Sequence, residues 1–369
     1  MARALQPQDG VSLIERVDVQ VAKIPTTAPE SDGTAEWSST TMVIVHASAG
    51  GATGLGYSYV DGAAAGVIRD VLSEHLLGID AMATGLAMQR MLTAIRNQGR
   101  GGVAACAISA VDVALWDLKA KLLSVPLAQL LGAVRESVPV YASGGFTSED
   151  CDALTDELSG YVKAGHKRVK IKIGRVRELD VERVRTAREA IGPDVDLMVD
   201  ANGAYTAKQA LAMAEAFAPY RVVYFEEPVS SDDLEGLRLV RERSAIAIAA
   251  GEYGYDAYYF RRMLDAGAVD ILQADATRCL GVTGFLHADA LAVSHNMPLS
   301  SHCGPAIHTH LDAAVTKLAH LEYFRDHARI EHMLFDGAAE PVNGELRWNP
   351  RAPGLGLTLR AREARRFAA

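Results

Sequence analysis

The chain is poor in cysteine and has no long hydrophobic run. Its 369 residues include four cysteines, and no two form a Cys-x-x-Cys pair, so neither a zinc ribbon nor a redox motif is indicated. No apolar run is long enough to span a bilayer, and residues 1–7 lack the apolar core of a signal peptide. We therefore expect a cytoplasmic protein with free thiols and no membrane association.

Basic residues are outnumbered by acidic ones, 37 to 46, which gives a net charge of −9. This balance argues against a nucleic-acid partner, because phosphate binding needs a basic face. An anionic small molecule remains possible, since a bound metal and local lysines can dominate the field in a cleft. The 49% of hydrophobic residues can form a sizeable core, and 369 residues exceed the needs of one barrel, so a second domain is expected.

Short apolar segments between residues 138 and 322 recur at intervals that fit a strand, a loop, a helix and a return loop. Eight such segments predict an α/β barrel of parallel strands. In a barrel, the carboxyl ends of the strands meet at one mouth, where the active sites of this fold lie. Seven of the segments end in charged or imidazole groups, namely Lys170 with Lys172, Asp200, Glu226, Glu252, Asp275, His302 and Glu322.

The flanking segments predict a second domain. Residues 11–60 alternate like an antiparallel meander, and residues 61–131 are helical in pattern. We divide the chain into a capping domain (1–133), a barrel (134–335) and a tail (336–369) that could return to the cap. The polar segment 25–37 is too long for a tight turn, and it is either a mobile surface loop or a lid over the barrel mouth.

Asp200, Glu226 and Glu252 follow one another at equal intervals of 26 residues. Three carboxylates at one mouth would repel each other without a cation, and Mg²⁺ prefers such oxygen ligands. Each could instead cap a helix, an ordinary task for an acidic side chain. The equal spacing of all three favours a magnesium site.

Lys170 and Lys172 lie two apart on one strand, so both side chains point to one face. Two close ammonium groups lower each other's pKa, which would let one act as a base near neutral pH. Asp275 and His302 end adjacent predicted strands, and a carboxylate can orient an imidazole for general base catalysis. The remaining histidines considered are expected to be structural or at the surface: His287, His295, His308, His310, His320, His327 and His332.

These groups fit one reaction. A metal binds a substrate carboxylate and a base removes the proton from the adjacent carbon, while the metal stabilises the enediolate that forms. Lys172 and His302 would approach the substrate from opposite faces. Two such groups permit inversion, or abstraction by one and protonation of a leaving group by the other.

The constellation resembles the enolase superfamily, and within it the mandelate racemase subgroup, over essentially the whole chain. The motifs that carry the resemblance are Lys170-Ile171-Lys172, Asp200-Ala201-Asn202, Glu226-Glu227-Pro228, Gly251-Glu252, Gln273-Ala274-Asp275, Ser300-Ser301-His302 and His320-Leu321-Glu322. The resemblance implies a modified (β/α)7β TIM-like barrel with an α+β capping domain built from the N-terminal segment and the C-terminal tail. It also implies a homo-oligomer, either a dimer or an octamer.

The resemblance implies a role at each matching position. Asp200, Glu226 and Glu252 match the Mg²⁺ ligands. Lys172 matches one base and Lys170 its helper at the substrate carboxylate. The pair of His302 and Asp275 matches the opposite base, Glu322 matches a protonated acid that hydrogen-bonds the substrate carboxylate, and Ser143 and Asn202 match secondary contacts.

The segment 25–37 is polar and acidic, which favours a polyhydroxylated substrate. Its hydrogen-bonding groups are Thr26, Thr27, Glu30, Ser31, Asp32 and Thr34, with Trp37 as a possible wall. The chain thus resembles the acid sugar dehydratases of the subgroup, which form 2-keto-3-deoxy acids. The alternatives are a racemase or epimerase of a 2-hydroxy acid, a sugar-lactone cycloisomerase, or a metal-binding regulator without activity.

Overall fold

The computed structural model describes residues 11–369, so residues 1–7, on which the signal-peptide argument rests, lie outside the described residues. An antiparallel sheet comes first, with the order β1 (Arg16–Ser31), β2 (Glu36–Ala49) and β3 (Ala52–Tyr59). A turn at Gly50-Gly51 joins β2 to β3, and both glycines have positive φ (56° and 77°). Glycine adopts this conformation without a steric penalty.

The segment 25–37 is not an irregular loop. β1 and β2 run through it and pair again at Glu30 with Trp37 and at Ser31 with Glu36, after an irregularity between Pro25 and Glu30. The turn at its tip is closed by Asp32, whose Oδ1 accepts from the backbone N–H groups of Thr34 (2.7 Å) and Ala35 (2.6 Å). We call residues 25–37 the lid hairpin.

Helices complete the N-terminal part of the chain. They are α1 (Ala63–Val67), a π-helical turn (Ile68–Leu72), a 3-10 turn (Ser73–His75), α2 (Thr84–Ala94), α3 (Val103–Leu122) and α4 (Leu127–Leu130). They confirm the helical pattern predicted over residues 61–131, and the longest of them is α3. This helix is almost entirely buried because it lies between the cap sheet and the barrel.

Eight parallel strands form a closed barrel, and all eight predicted strands are present. They are β4 (Ser137–Gly144), β5 (Arg168–Lys172), β6 (Asp196–Asp200), β7 (Val222–Glu226), β8 (Ala247–Ala250), β9 (Ile271–Ala274), β10 (Leu299–Ser301) and β11 (Leu318–Phe324). The barrel closes where Leu321 to Phe324 of β11 pair with Val140 to Ser143 of β4.

Seven helices alternate with the eight strands, which is the (β/α)7β arrangement. They are α5 (Cys151–Lys163), α6 (Arg177–Ile191), α7 (Ala207–Phe217), α8 (Leu234–Arg243), α9 (Ala257–Asp265), α10 (Gly281–Ser294) and α11 (Pro305–Asp312). Four begin at side-chain caps from Asp150, Thr206, Asp233 and Asp256. The helix-capping acids are thus different residues from the predicted magnesium ligands.

The chain after the barrel comprises α12 (Arg325–Leu334), β12 (Phe335–Asp336), β13 (Glu345–Arg347), β14 (Thr358–Leu359) and α13 (Ala361–Arg366). β13 pairs antiparallel with the start of β4, and Ala368 forms a bridge with Ala22 of the cap sheet. The tail therefore contacts both the barrel and the cap. The division of the chain at residues 133 and 335 stays a prediction.

Buried polar contacts join the cap to the barrel. Asp112 on α3 accepts from the backbone N–H (2.9 Å) and hydroxyl (2.8 Å) of Thr283, and Tyr57 on β3 donates to Glu331 on α12 (2.6 Å). Asp117 accepts from the backbone N–H groups of Leu55 and Leu355 and pairs with Lys121 at 2.7 Å. Asp112 is thus a buried interdomain group, and Asp117, also buried, joins α3 to the cap sheet and the tail. Along residues 11–369, no helix is both long and apolar enough to cross a membrane.

Candidate active site

All seven predicted strand-end positions meet at the mouth of the barrel. Lys172, Glu252, His302 and Glu322 line a cavity of about 400 Å³ together with Asn202. Lys170, Asp200 and Glu226 are fully buried and contact the lining groups. The cavity is closed on its other side by residues of the cap sheet, so the site lies between the two parts of the chain.

Asp200, Glu226 and Glu252 each offer a carboxylate oxygen, and these oxygens lie within 4.8 Å of one another. Oε1 of Glu226 and Oε2 of Glu252 are buried without a hydrogen-bond partner. Burial, followed by the charge of Asp200, raises the pKa of Glu226 well above its usual value. A buried cluster of negative oxygens with unfilled acceptor positions fits a hard divalent cation.

Gly251 allows Glu252 to join this cluster. Its φ of +138° is one that L side chains rarely adopt, and a Cβ atom there would lie 2.1 Å from the carbonyl oxygen of Gln273. Burial raises the pKa of Glu252, but the charges of His302 and Arg278 outweigh burial and place it below the usual value. Glu252 is therefore ionised at neutral pH.

The two lysines are held by carboxylates. Nζ of Lys170 lies 2.7 Å from Glu226 and 2.8 Å from Glu322, and Nζ of Lys172 lies 2.5 Å from Asp200. Burial lowers the pKa of both lysines, but the neighbouring carboxylates outweigh it and raise both above the usual value. Lys170 does lower the pKa of Lys172 as expected, but the carboxylates outweigh this effect, so the neighbouring lysine does not bring the pKa of Lys172 near neutral pH.

His302 and Asp275 are in contact as predicted, with Nδ1 of His302 2.8 Å from Oδ2 of Asp275. Burial alone would raise the pKa of Asp275, but the hydrogen bond and charge of His302 lower it well below its usual value. The carboxylate of Asp275 fixes Nδ1 of His302 and thereby directs Nε2 away from it. That nitrogen lies 3.5 Å from Glu252 and 3.7 Å from Glu322, inside the cavity.

The charged neighbours of Glu322 favour its ionised form in this structure, and its role as a protonated acid at the substrate carboxylate stays an expectation from the resemblance. Burial raises its pKa, but Lys170 and then His302 lower it well below the usual value. Its Oε2 also accepts from the backbone N–H of Cys303 at 3.2 Å. A carboxylate that faces an ammonium group and a donor N–H keeps its charge.

The predicted substrate contacts divide into two groups. Asn202, Asp32 and Trp37 line the cavity, and Oδ1 of Asn202 is buried without a partner. Ser143 and Glu30 do not line it. Ser143 is buried at the end of β4, and Glu30 accepts from Nε1 of Trp37 (2.9 Å) and lies 3.5 Å from Arg325, so the prediction that Glu30 contacts substrate is not supported.

The lid hairpin packs directly on the barrel mouth. A Cβ atom at Gly33 would lie 2.3 Å from the carbonyl oxygen of Ala201 and 2.7 Å from that of Ile173. Thr147, in the loop after β4, donates through its hydroxyl to the carbonyl of Asp32 at 2.9 Å. The lid alternative for this segment is therefore the one that the structure supports.

The cavity also contains residues that the sequence did not assign to the site, among them Arg278 and His327. Arg278 donates to the backbone carbonyl (3.1 Å) and side chain (3.3 Å) of Glu252. His327, expected to be structural, lines the cavity, and its ring stacks on Tyr59 at 3.3 Å between centroids. Arg278 and His327 each follow a strand-end acid closely, at three residues after Asp275 and five after Glu322, and this position was the available signal.

Two family descriptions match this chain. Residues 16–132 match the "Mandelate racemase / muconate lactonizing enzyme, N-terminal domain", and residues 153–364 match "Enolase C-terminal domain-like". Together they cover most of the cap, of the barrel and of the tail. The chain belongs to the mandelate racemase subgroup of the enolase superfamily.

Individual relatives share nearly the whole length. The chain is 36% identical to the 3,6-anhydro-alpha-L-galactonate cycloisomerase of Streptomyces coelicolor (94% of this chain, 97% of the relative). It is 32% identical to the L-talarate/galactarate dehydratase of Salmonella typhimurium (96% and 90%).

Solved structures are also similar to this chain over nearly its whole length. A mandelate racemase/muconate lactonizing enzyme-like protein from Rubrobacter xylanophilus has a TM-score of 0.95 at 52% identity (97% of this chain, 100% of that chain). A racemase from Streptomyces coelicolor, crystallised with bound magnesium, has a TM-score of 0.92 at 34% identity (97% and 100%).

Proposed function

We propose that this enzyme removes the proton alpha to the carboxylate of an acid sugar and then expels the β-hydroxyl as water, which yields a 2-keto-3-deoxy acid. The observation that carries the proposal is the placement of Lys172 and His302 in one cavity, in contact with different members of the carboxylate cluster. Lys172 lies beside Asp200, whereas Nε2 of His302 lies beside Glu252.

Asp200, Glu226 and Glu252 would hold the Mg²⁺ ion, because they supply three buried oxygen ligands within 4.8 Å of one another. Such an ion, when bound, supplies positive charge that stabilises the substrate carboxylate as the α-proton leaves. Lys170 adds a fixed positive charge beside it. This lysine is fully buried between Glu226 and Glu322, so it stays protonated and binds the substrate anion rather than acting as a base.

Lys172 and His302 share the proton transfers. Lys172 reaches the cavity, so once its ion pair with Asp200 is relieved it can release a proton to solvent and accept the α-proton as the neutral amine. His302 keeps Nδ1 on Asp275 and offers Nε2 to the substrate, where it either takes the α-proton or donates a proton to the departing hydroxyl. The configuration of the substrate decides which of the two groups removes the α-proton and which protonates the departing hydroxyl. Asn202 contributes an unpaired amide oxygen for a substrate hydroxyl.

Proton NMR in D₂O with Mg²⁺ and pools of acid sugars and 2-hydroxy acids tests the proposal. We expect loss of substrate and the appearance of a 2-keto-3-deoxy product. Deuterium at the α-carbon without loss of the hydroxyl would make the enzyme a racemase or epimerase. Absence of α-proton exchange with every acid would contradict proton abstraction altogether and favour a non-catalytic metal-binding protein.

The cycloisomerase relative at 36% identity supports a second candidate. The same groups would then remove the α-proton, and the leaving oxygen would belong to a ring of the substrate instead of a free hydroxyl. Mass spectrometry of the product separates the two reactions, because ring opening gives an isomer of unchanged mass and dehydration gives a product lighter by one water.

A further inference from the structure

We infer that the substrate carries a single carboxylate, and that its far end is held by neutral hydrogen-bonding groups of the cap sheet and α12. The inference rests on the proposed function and narrows it to acids of the aldonate kind, with one carboxylate, in preference to aldarates, with two. It follows from how charge is distributed over the cavity wall.

The cationic side chains lie at one end of the cavity. Among the described residues that line it, lysine and arginine occur only as Lys172 and Arg278. Lys172 contacts Asp200, and Arg278 contacts Glu252 (3.3 Å) and Asp275 (3.6 Å), so both belong to the carboxylate cluster at the strand ends. These groups can bind one substrate carboxylate, next to the metal ligands.

The opposite wall has no lysine or arginine among its described residues. It is built by the cap strands, the segment after β3 and α12, and it consists of Asp32, Trp37, Ser39, Thr40, Thr41, Tyr59, Val60, Asp61 and His327. Its formal charges are those of two aspartates. A second carboxylate would lose its water here and meet negative charge instead of a counterion, which is strongly unfavourable.

The arginines of α12 cannot supply the missing charge. Arg325 is held by Glu149 (2.8 Å) and Glu157 (2.7 Å), and Arg329 by Asp326 (2.5 Å) and the carbonyl of Pro25 (2.9 Å). Neither lines the cavity. Both stabilise the contact between the lid hairpin, the barrel and α12, so their charges are already neutralised.

His327 is the polar group of this wall that lacks a partner. Its side chain is buried, with 8% of the residue exposed, and Nδ1 has no hydrogen-bond partner. Tyr59 stacks on one face of the ring and Phe324 meets it edge-on at 5.0 Å, which fixes its orientation. Burial, followed by the charge of His302, lowers its pKa to about 3, so the imidazole is neutral and suits a hydroxyl rather than a carboxylate.

The test compares matched acids that differ only at the far carbon: galactonate with galactarate, and gluconate with glucarate. Turnover is followed by NMR and binding by calorimetry, both in Mg²⁺. We expect kcat/KM for at least one aldonate to exceed that of its matched aldarate by about 100-fold or more. We also expect Ser39→Lys, which adds a cation to the far wall, to reduce this ratio at least tenfold.

His327→Asn should raise KM for the aldonate several-fold with a smaller change in kcat, because it alters binding at the far end. His332→Asn, on the same helix but outside the cavity, is the matched control and should leave both constants unchanged. A kcat/KM for the aldarate that equals or exceeds that for the aldonate overturns the inference and leaves the proposed function intact. Tighter binding of the aldonate without α-proton exchange would support the inference and contradict the proposed function, and binding of neither acid would overturn the inference.

Discussion

Lys172 and His302 are both buried at the barrel mouth, yet each has one open direction, toward the cavity. Lys172 is anchored by Asp200 and His302 by Asp275, so the two groups are oriented before any substrate arrives. Preorganised acid and base groups of this kind typically contribute 10²–10⁴-fold to a rate. The roles of the individual residues can therefore be separated by single substitutions.

For one substrate, His302→Asn should lower dehydration by about 10²–10⁴-fold. If Lys172 removes the α-proton of that substrate, the variant keeps deuterium exchange at the α-carbon, because only protonation of the leaving hydroxyl is lost. NMR in D₂O measures both events. His295→Asn, at an exposed histidine paired with Asp265, serves as the control. Wild-type dehydration by the His302 variant would remove the histidine from the mechanism.

Removal of divalent cations should abolish activity, and added Mg²⁺ should restore it. Mg²⁺ should also raise the melting temperature, because it relieves the repulsion within the cluster of Asp200, Glu226 and Glu252 and binds only the folded state. Glu226→Gln should weaken both effects, whereas Glu182→Gln on an exposed helix face should not. Full activity in excess chelator would contradict the metal site.

The sequence predicted which residues meet at the mouth but not their protonation. The 26-residue spacing and the barrel geometry locate Asp200, Glu226 and Glu252, because the backbone of a barrel brings the strand ends together regardless of the charge states of the side chains. The charge states of Lys172 and Glu322 depend instead on contacts below 3 Å with Asp200 and Lys170. Such distances follow from packing and are not encoded in spacing.

At the scale of the element, the lid hairpin is the part that the sequence described least well. Pro25 and Pro29 made the segment look like an irregular loop, yet β1 continues through both. β1 is the edge strand of the cap sheet, and proline is tolerated at an edge because its missing N–H faces no partner. The barrel strands were less ambiguous, since most are short, largely apolar segments that recur at regular intervals.

Gly33→Ala should lower kcat/KM by at least tenfold while leaving the fold intact. The new methyl group would lie 2.3 Å from the carbonyl oxygen of Ala201, so the hairpin tip must move away from the barrel mouth. Steady-state kinetics and the melting temperature measure the two effects. Gly85→Ala on α2, where a Cβ meets nothing within 4 Å, is the control. Unchanged kinetics for Gly33→Ala would show that the docked tip is not needed for turnover.

At the scale of the whole molecule, the cap and the barrel are joined by buried polar groups from distant parts of the chain. Tyr57 reaches Glu331 and Asp112 reaches Thr283. The sequence shows only that Asp112 lies in a helical segment, and the packed structure shows that it contacts Thr283 of the barrel. The oligomeric state, expected to be a dimer or an octamer, stays a prediction.

Glu331 should make stability depend on pH. Burial raises its pKa to about 8 in the folded state, against 4.5 for an ordinary glutamate. The folded state therefore holds the extra proton between pH 4.5 and 8, so its contribution is complete below pH 4.5 and is lost as the pH rises through 8.

Glu331→Gln should flatten this dependence, by up to about 1.4 kcal/mol of unfolding free energy per pH unit. Melting temperatures at pH 5, 6, 7 and 8 give the two slopes. Glu340→Gln, at an exposed position, should follow the wild type. Parallel curves for Glu331→Gln and the wild type would mean that Glu331 is already ionised at pH 5.

The bridge between Ala22 and Ala368 can form only after almost the whole chain has been synthesised. The backbone N–H of Lys23 donates to the carbonyl of Phe367 at 2.8 Å, so the outer edge of β1 is filled by residues more than 340 positions later in the chain. At roughly 5–20 residues per second, a ribosome takes on the order of 20–70 s to cover that distance. For that time the nascent cap sheet presents an unpaired edge, which is the kind of surface that chaperones protect from aggregation.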